Sequence, residues 1–212
     1  MYLSRHPNGV STDQFANDLW PNKNYAGTDS YPKDMASRVR AWLGVNPRTG
    51  KEHMPRAGRD GYRLDGVIVA SELFRRLRAR SEARGAHGLP DLITALNLVT
   101  GTPMSKLREF GYGWLPAGED LLYTRAVVEV AHLVATWALE AGDNAEAIRA
   151  CEVALKLDAE DDRALLDMAK AHENAGRRAE RDAAILRLKA LEDPPERTLE
   201  VMRRNGWLAK GA

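Results

Sequence analysis

The alternation of apolar and polar positions is helical through most of the chain, and it is clearest between residues 31 and 44. Met35, Val39, Trp42 and Leu43 stand at i, i+4, i+7 and i+8, one stripe of a helix with a period of about 3.6 residues. Lys33, Ser37 and Arg40 lie opposite, with Arg38 on the flank, so the pattern predicts a buried Trp42 beneath a basic outer face. Pro32 suits the first turn, where its missing N–H would have no partner, and Gly44 suits the residue that stops a helix. Upstream, Ser11-Thr12-Asp13-Gln14 reads as a capping box opening a short helix with Phe15, Ala16, Leu19 and Trp20 on its apolar side. Pro21 ends that helix, because the residue before a proline is biased away from helical geometry. Residues 21–30 then have the composition of a loop, in which Lys23 reads as a solvated lysine or a phosphate contact.

Beyond Gly44 the pattern changes. Turn residues crowd residues 45–60, and the runs 52–55 and 62–65 read as two short strands joined by a loop that carries Arg56 and Arg59. Two short helices, a connection and a hairpin-like tail match the order of a winged helix. A helix over 71–80 follows, burying Leu73, Phe74 and Leu77 and exposing Arg75, Arg76, Arg78 and Arg80. Such a face either tracks phosphates or is simply solvated. Asp91 is placed to cap a helix bearing Leu92, Ile93, Ala95, Leu96, Leu98 and Val99. From residue 119 onward the chain is helical and repeats itself. Gly142 and Gly176 are 34 residues apart, and the same offset superposes Val134 on Met168, Ala135 on Ala169, Ala145 on Ala179, Ala150 on Ala184, Cys151 on Ile185 and Leu157 on Leu191. That is the tetratricopeptide period, a helix pair with a glycine at its turn. Two pairs cannot cover their own faces, so the helices between 91 and 138 are expected to close one end.

The runs His6-Pro7-Asn8-Gly9-Val10-Ser11, Leu19-Trp20-Pro21, Ser37-Arg38-Val39-Arg40-Ala41-Trp42-Leu43-Gly44 and Gly61-Tyr62-Arg63-Leu64 resemble, in that order, the winged helix of SARP-type bacterial transcriptional activators. Ala95-Leu96-Asn97-Leu98-Val99-Thr100-Gly101-Thr102-Pro103 and Tyr112-Gly113-Trp114-Leu115 resemble the bacterial transcriptional activator domain that follows it in that family. The resemblance covers nearly the whole chain. It implies that the helix matching 31–43 enters the major groove and that the hairpin matching roughly 52–64 is the wing. The family's winged helix begins with a small β-sheet and a complete first helix, whereas this chain opens on what resembles the last turn or two of that helix, so a fragment of a longer protein is expected. The fold class expected is therefore mainly α: a truncated winged helix-turn-helix with a small β-hairpin wing over 1–66, then an all-α tetratricopeptide-like domain over 67–212.

Composition adds a charge asymmetry. The net charge is +1, yet residues 1–90 hold 15 Lys/Arg against 9 Asp/Glu and residues 91–212 hold 16 against 21. A basic first part and an acidic second part suit different partners, or reflect ordinary surface variation. No apolar run reaches the roughly 20 residues of a membrane helix and no signal-peptide pattern opens the chain, so a soluble, cytoplasmic chain is expected, with no membrane segment within it and any anchor lying outside it. Cys151 is the one cysteine, which excludes an intrachain disulfide and a cysteine-built zinc site. It occupies an apolar position of the repeat and reads as core. His6, His53, His87, His132 and His172 show no ligand spacing, and neither a phosphate-binding glycine loop nor a nucleophile elbow is present. No catalysis, cofactor or metal is expected.

Two functions remain. In the first, a DNA-binding regulator, Arg38 or Arg40 reads bases with Lys33 and Ser37 beside it, because a guanidinium fits guanine O6 and N7 together. Lys51, Arg56, Arg59 and Arg63 then hold phosphates from the wing. The resemblance implies double-stranded DNA and RNA polymerase as partners, with the helical domain serving self-association as a homodimer or signal input. In the second, the chain is a protein-interaction module that does not bind DNA and holds a partner on its helical repeats.

Overall fold

The computed structural model describes residues 1–21, 30–58, 61–105 and 112–208. Among them are nine α-helices: α1 (Thr12–Leu19), α2 (Tyr31–Leu43), α3 (Ala70–Arg84), α4 (Leu89–Asn97), α5 (Glu119–Glu140), α6 (Asn144–Leu157), α7 (Asp162–Asn174), α8 (Arg178–Lys189) and α9 (Glu196–Arg204). No helix among them is long and apolar enough to cross a membrane. The chain divides into two compact units, one of Met1–Glu72 with Lys106–Ala117 and one of Leu73–Ser105 with Gly118–Ala212.

In the first unit the local signals act as their chemistry requires. Ser11 Oγ accepts from the Gln14 N–H at 3.1 Å and opens α1, which ends at Trp20 before Pro21. Pro32 lies in the first turn of α2, and Gly44, at φ 67°, ends it. The core is small and aromatic. Tyr2, Leu3, Val10, Phe15, Ala36, Met54 and Tyr62 are buried together, and Trp114 meets Tyr2 edge-on at 5.1 Å. The Tyr2 hydroxyl donates to Asp18 at 2.6 Å, and burial with that bond pushes the phenol's pKa upward.

Helix α2 presents a different face to this core than its apolar stripe predicts. Pro32 and Ala36 are buried and Arg40 and Leu43 half-buried, whereas Val39 is exposed and Trp42 is 84% exposed. The expected burial of Trp42 is thus corrected. Ala36 and Pro32 are compact enough for close approach to the core. Arg40, drawn inward by carbonyl partners described below, also turns the helix away from the 35–39–42 row.

The hairpin expected over 52–65 is not a ladder. Among the described residues, strand pairing consists of three isolated antiparallel bridges, Val10 with Tyr62, Val45 with Glu52 and Gly58 with Gly61. Val10 and Tyr62 exchange both backbone bonds, at 2.9 and 2.8 Å, while the Asp65 N–H donates to His53 O at 2.8 Å. Pro55 has no N–H to give and glycines flank the turn, so a longer ladder has little to form from.

The second unit is helical, and its repeat is physical. Helix α5 packs on α6, α6 on α7 and α7 on α8. Gly142 and Gly176 follow α5 and α7 at φ 76° and 70°. In each case the glycine N–H bonds three residues back and the next N–H five residues back, Asp143 to Ala138 O at 2.8 Å and Arg177 to His172 O at 2.9 Å. Ala135 and Ala169, Ala150 and Ala184, and Cys151 and Ile185 are buried in equivalent places. Small side chains at these sites let the paired helices approach closely. Asp143 and Asp161 cap α6 and α7 through the Glu146 and Ala164 N–H groups, and His132 on α5 bonds Asp167 on α7 at 2.6 Å. Asp91 is not the cap expected of it. It is buried in the first turn of α4, where Arg80 grips it at 2.6 and 2.8 Å and Arg84 at 3.3 Å. Arg78 likewise pairs with Glu82 and Glu129, so this arginine-rich face of α3 is partly consumed by ion pairs within the protein.

Candidate nucleic-acid interface

Helix α2 and the turn-rich stretch after it carry the expected polar side chains. Lys33, Ser37 and Arg38 stand exposed on α2, with Asp34 between them accepting from Ser30 Oγ at 3.0 Å. Ala41 and Trp42 continue the same solvent-facing side toward the helix end. Three of the four helix residues expected to face DNA are therefore presented together.

Arg40 is the fourth, and it faces the protein. Its Nε donates to Met54 O at 2.8 Å, its Nη2 lies 3.5 Å from Pro55 O, and Glu52 sits 3.9 Å away. The side chain is only 16% exposed. Its charge also bears on the neighbouring Tyr62, whose hydroxyl burial pushes up in pKa while the guanidinium partly opposes the shift.

In the following stretch, Lys51, Arg56 and Arg63 are exposed. Arg59 lies outside the described residues, as does Lys23 in the loop before α2. Sequence reasoning missed Arg48. The Asn46 side chain accepts from the N–H groups of Arg48 and Thr49 at 2.9 and 3.3 Å, a local turn that presents Arg48 to solvent. The signal was available, since Asn-Pro-Arg-Thr-Gly is turn chemistry with a cation at its centre. The same unit carries an apolar groove of roughly 480 Å³, lined by Leu3, Leu19, Val39, Trp42, Leu64 and Ile68 among others.

Titratable groups elsewhere are held by packing. Burial pushes the Cys151 thiol far up from its ordinary value and keeps it protonated. Burial likewise lowers His172, whose Nδ1 has no partner among the described residues. No group of three or more His, Cys, Asp or Glu side chains among those residues is placed to hold a metal ion.

No protein-family profile matches the sequence, and no curated protein does. Among solved structures the chain is similar to Mycobacterium tuberculosis EmbR in complex with a low affinity phosphopeptide, at a TM-score of 0.54 and 19% sequence identity. The likeness covers 92% of this chain and 55% of that one, so the chain spans about half the length of the protein it matches. What the two share is the fold, which in this chain is mainly helical.

Proposed function

We propose that the chain is a DNA-binding transcriptional regulator of the SARP type. Helix α2 enters the major groove, the stretch 45–66 acts as the wing, and the paired helices serve self-association or signal input. The observation that carries this reading is the exposed row of Lys33, Ser37 and Arg38 on α2 beside exposed Lys51 and Arg56, in a fold like that of EmbR. Arg38 becomes the base reader, because Arg40 is engaged within the protein. The wing cations supply phosphate contacts, which position the helix without reading sequence. RNA polymerase at the promoter and a second copy of the chain are the protein partners this reading implies, with action in the cytoplasm and without catalysis. The test is selection of binding sites from a random duplex pool. One enriched motif that Arg38→Ala no longer discriminates supports the reading, and a pool that stays unenriched through repeated rounds contradicts it.

A second reading, a protein-interaction module without DNA binding, draws on Trp42, Val39 and Ile68. Large apolar side chains exposed on one unit are more typical of surfaces that meet protein. An unenriched pool would favour it.

A further inference from the structure

The expected wing has little backbone pairing to hold it. Between the Val45–Glu52 and Gly58–Gly61 bridges, the stretch 53–57 has no bridge of its own, and no backbone N–H among the described residues reaches Met54 O or Pro55 O. Both carbonyls instead face one side chain of α2, that of Arg40, at 2.8 and 3.5 Å. A guanidinium offers five donors in a fixed plane and no acceptor, which suits it to gather adjacent carbonyls, and its charge strengthens each bond. The grip falls between two of the exposed wing cations, since Lys51 and Glu52 precede Met54 and Arg56 follows Pro55. Met54 is fully buried in the same core as Ala36 and Tyr62, so the carbonyl that Arg40 holds belongs to a residue anchored in the core.

We propose that Arg40 is a positioning residue: it clasps the wing backbone to α2, so that Lys51 and Arg56 stand at a fixed distance from Lys33, Ser37 and Arg38, and it makes no contact with DNA. This rests on the DNA-binding reading for its consequence, although the clasp itself is a property of the free protein. A basic surface split between a helix and a loosely paired stretch acts as one surface only if something fixes the two together. Here Arg40 does so at Met54 and Pro55, beside the core burial of Met54 and the bond from His53 N–H to Gly44 O at the end of α2.

Two substitutions separate clasp from contact. Glutamine places its Nε2 where the Nε of Arg40 stands, so Arg40→Gln keeps the bond to Met54 O and loses the charge. Lysine places a methylene there, so Arg40→Lys keeps the charge and loses that bond. Binding of the full chain to a random-sequence duplex is measured over a salt series, and exchange of the His53 and Asp65 amides, bonded to Gly44 O and His53 O, is measured without DNA. The clasp predicts that Arg40→Gln keeps the wild-type salt slope and amide protection. It predicts that Arg40→Lys exchanges faster at both amides and loses up to about two units of slope, those of Lys51 and Arg56. The opposite pattern, in which Arg40→Gln loses about one unit and Arg40→Lys none, would show a direct phosphate contact and overturn the proposal. Unchanged exchange in Arg40→Lys would overturn it as well. If the wild-type chain binds no duplex, the DNA-binding reading fails, while the exchange measurements still decide the clasp.

Discussion

A Cβ on Gly61 would stand 1.8 Å from Val10 O, and the residue sits at φ +69°. Gly61→Ala must therefore break the Val10–Tyr62 bridge or strain the backbone, and it is expected to cost roughly 2–4 kcal/mol in denaturant unfolding of the first unit. A cost below about 0.5 kcal/mol would mean that the bridge is not formed in solution. Trp42 gives the opposite expectation. With most of its surface in water already, Trp42→Ala should change stability by less than about 0.5 kcal/mol, against the roughly 3–5 kcal/mol of a core tryptophan, as read by the same denaturant midpoint. Single-residue features were legible where their chemistry is local. Ser11, Pro32, Gly44, Gly142 and Gly176 each satisfy or stop a helix end using only their neighbours in sequence. Trp42 was not legible, because a hydrophobic stripe reports which side chains are apolar and not which of them the rest of the chain can cover.

Between elements, the buried latch from α3 to α4 has a measurable signature. The bidentate bond from Arg80, with Arg84 beside it, holds Asp91 ionised and lowers its pKa from the ordinary 3.8. A folded-state pKa below the unfolded one means that the unfolded chain binds more protons as pH falls, so the latch contributes fully above about pH 5 and is lost as pH drops through the unfolded and then the folded value. Unfolding of the second unit should grow easier from about pH 5 downward, and Asp91→Asn should remove part of that slope while lowering stability at neutral pH. An unchanged acid slope in Asp91→Asn would show that the latch does not couple to folding. The expectation that Asp91 caps α4 went astray because an acid just after a proline fits a cap and a first-turn ion pair equally well. Only the register of α3, set by burial of Phe74 and Leu77, brings Arg80 and Arg84 to it. For the same reason the stretch 45–66 was half legible. Its turns announce themselves in glycine and proline, while the bonds to Met54 O and Pro55 O come from Arg40, which periodicity assigns to the outer face.

Over the whole chain, the 34-residue period was the most readable feature, because a repeat tests itself against its own copy. The turn glycine, the buried alanines at 135 and 150, and the helix boundaries on either side of the turn, 140 and 144, recur 34 residues on in the second pair. Limited proteolysis should therefore leave residues 119–189 intact while cutting first within 45–58, where backbone pairing is sparse. First cuts inside α6 or α7 would mean that the paired helices do not protect one another. What no pattern announced is that residues 112–117, between α4 and α5 in sequence, belong to the first unit through Trp114. An aromatic in a turn-rich loop carries no periodicity that names its partner.

On the proposed function, the exposed cations on α2 and the stretch after it meet DNA. The most direct measurement is fluorescence anisotropy of a labelled random duplex titrated with the full chain over a series of low salt concentrations, beside a Lys51→Ala, Arg56→Ala, Arg63→Ala variant. The account predicts binding at the lowest salt that weakens along a straight line in logarithmic coordinates, with a slope of about three to five units, and a variant that folds normally but has a slope about three units shallower. Absence of binding at the lowest salt, or a folded variant that binds as the parent chain does, would contradict it.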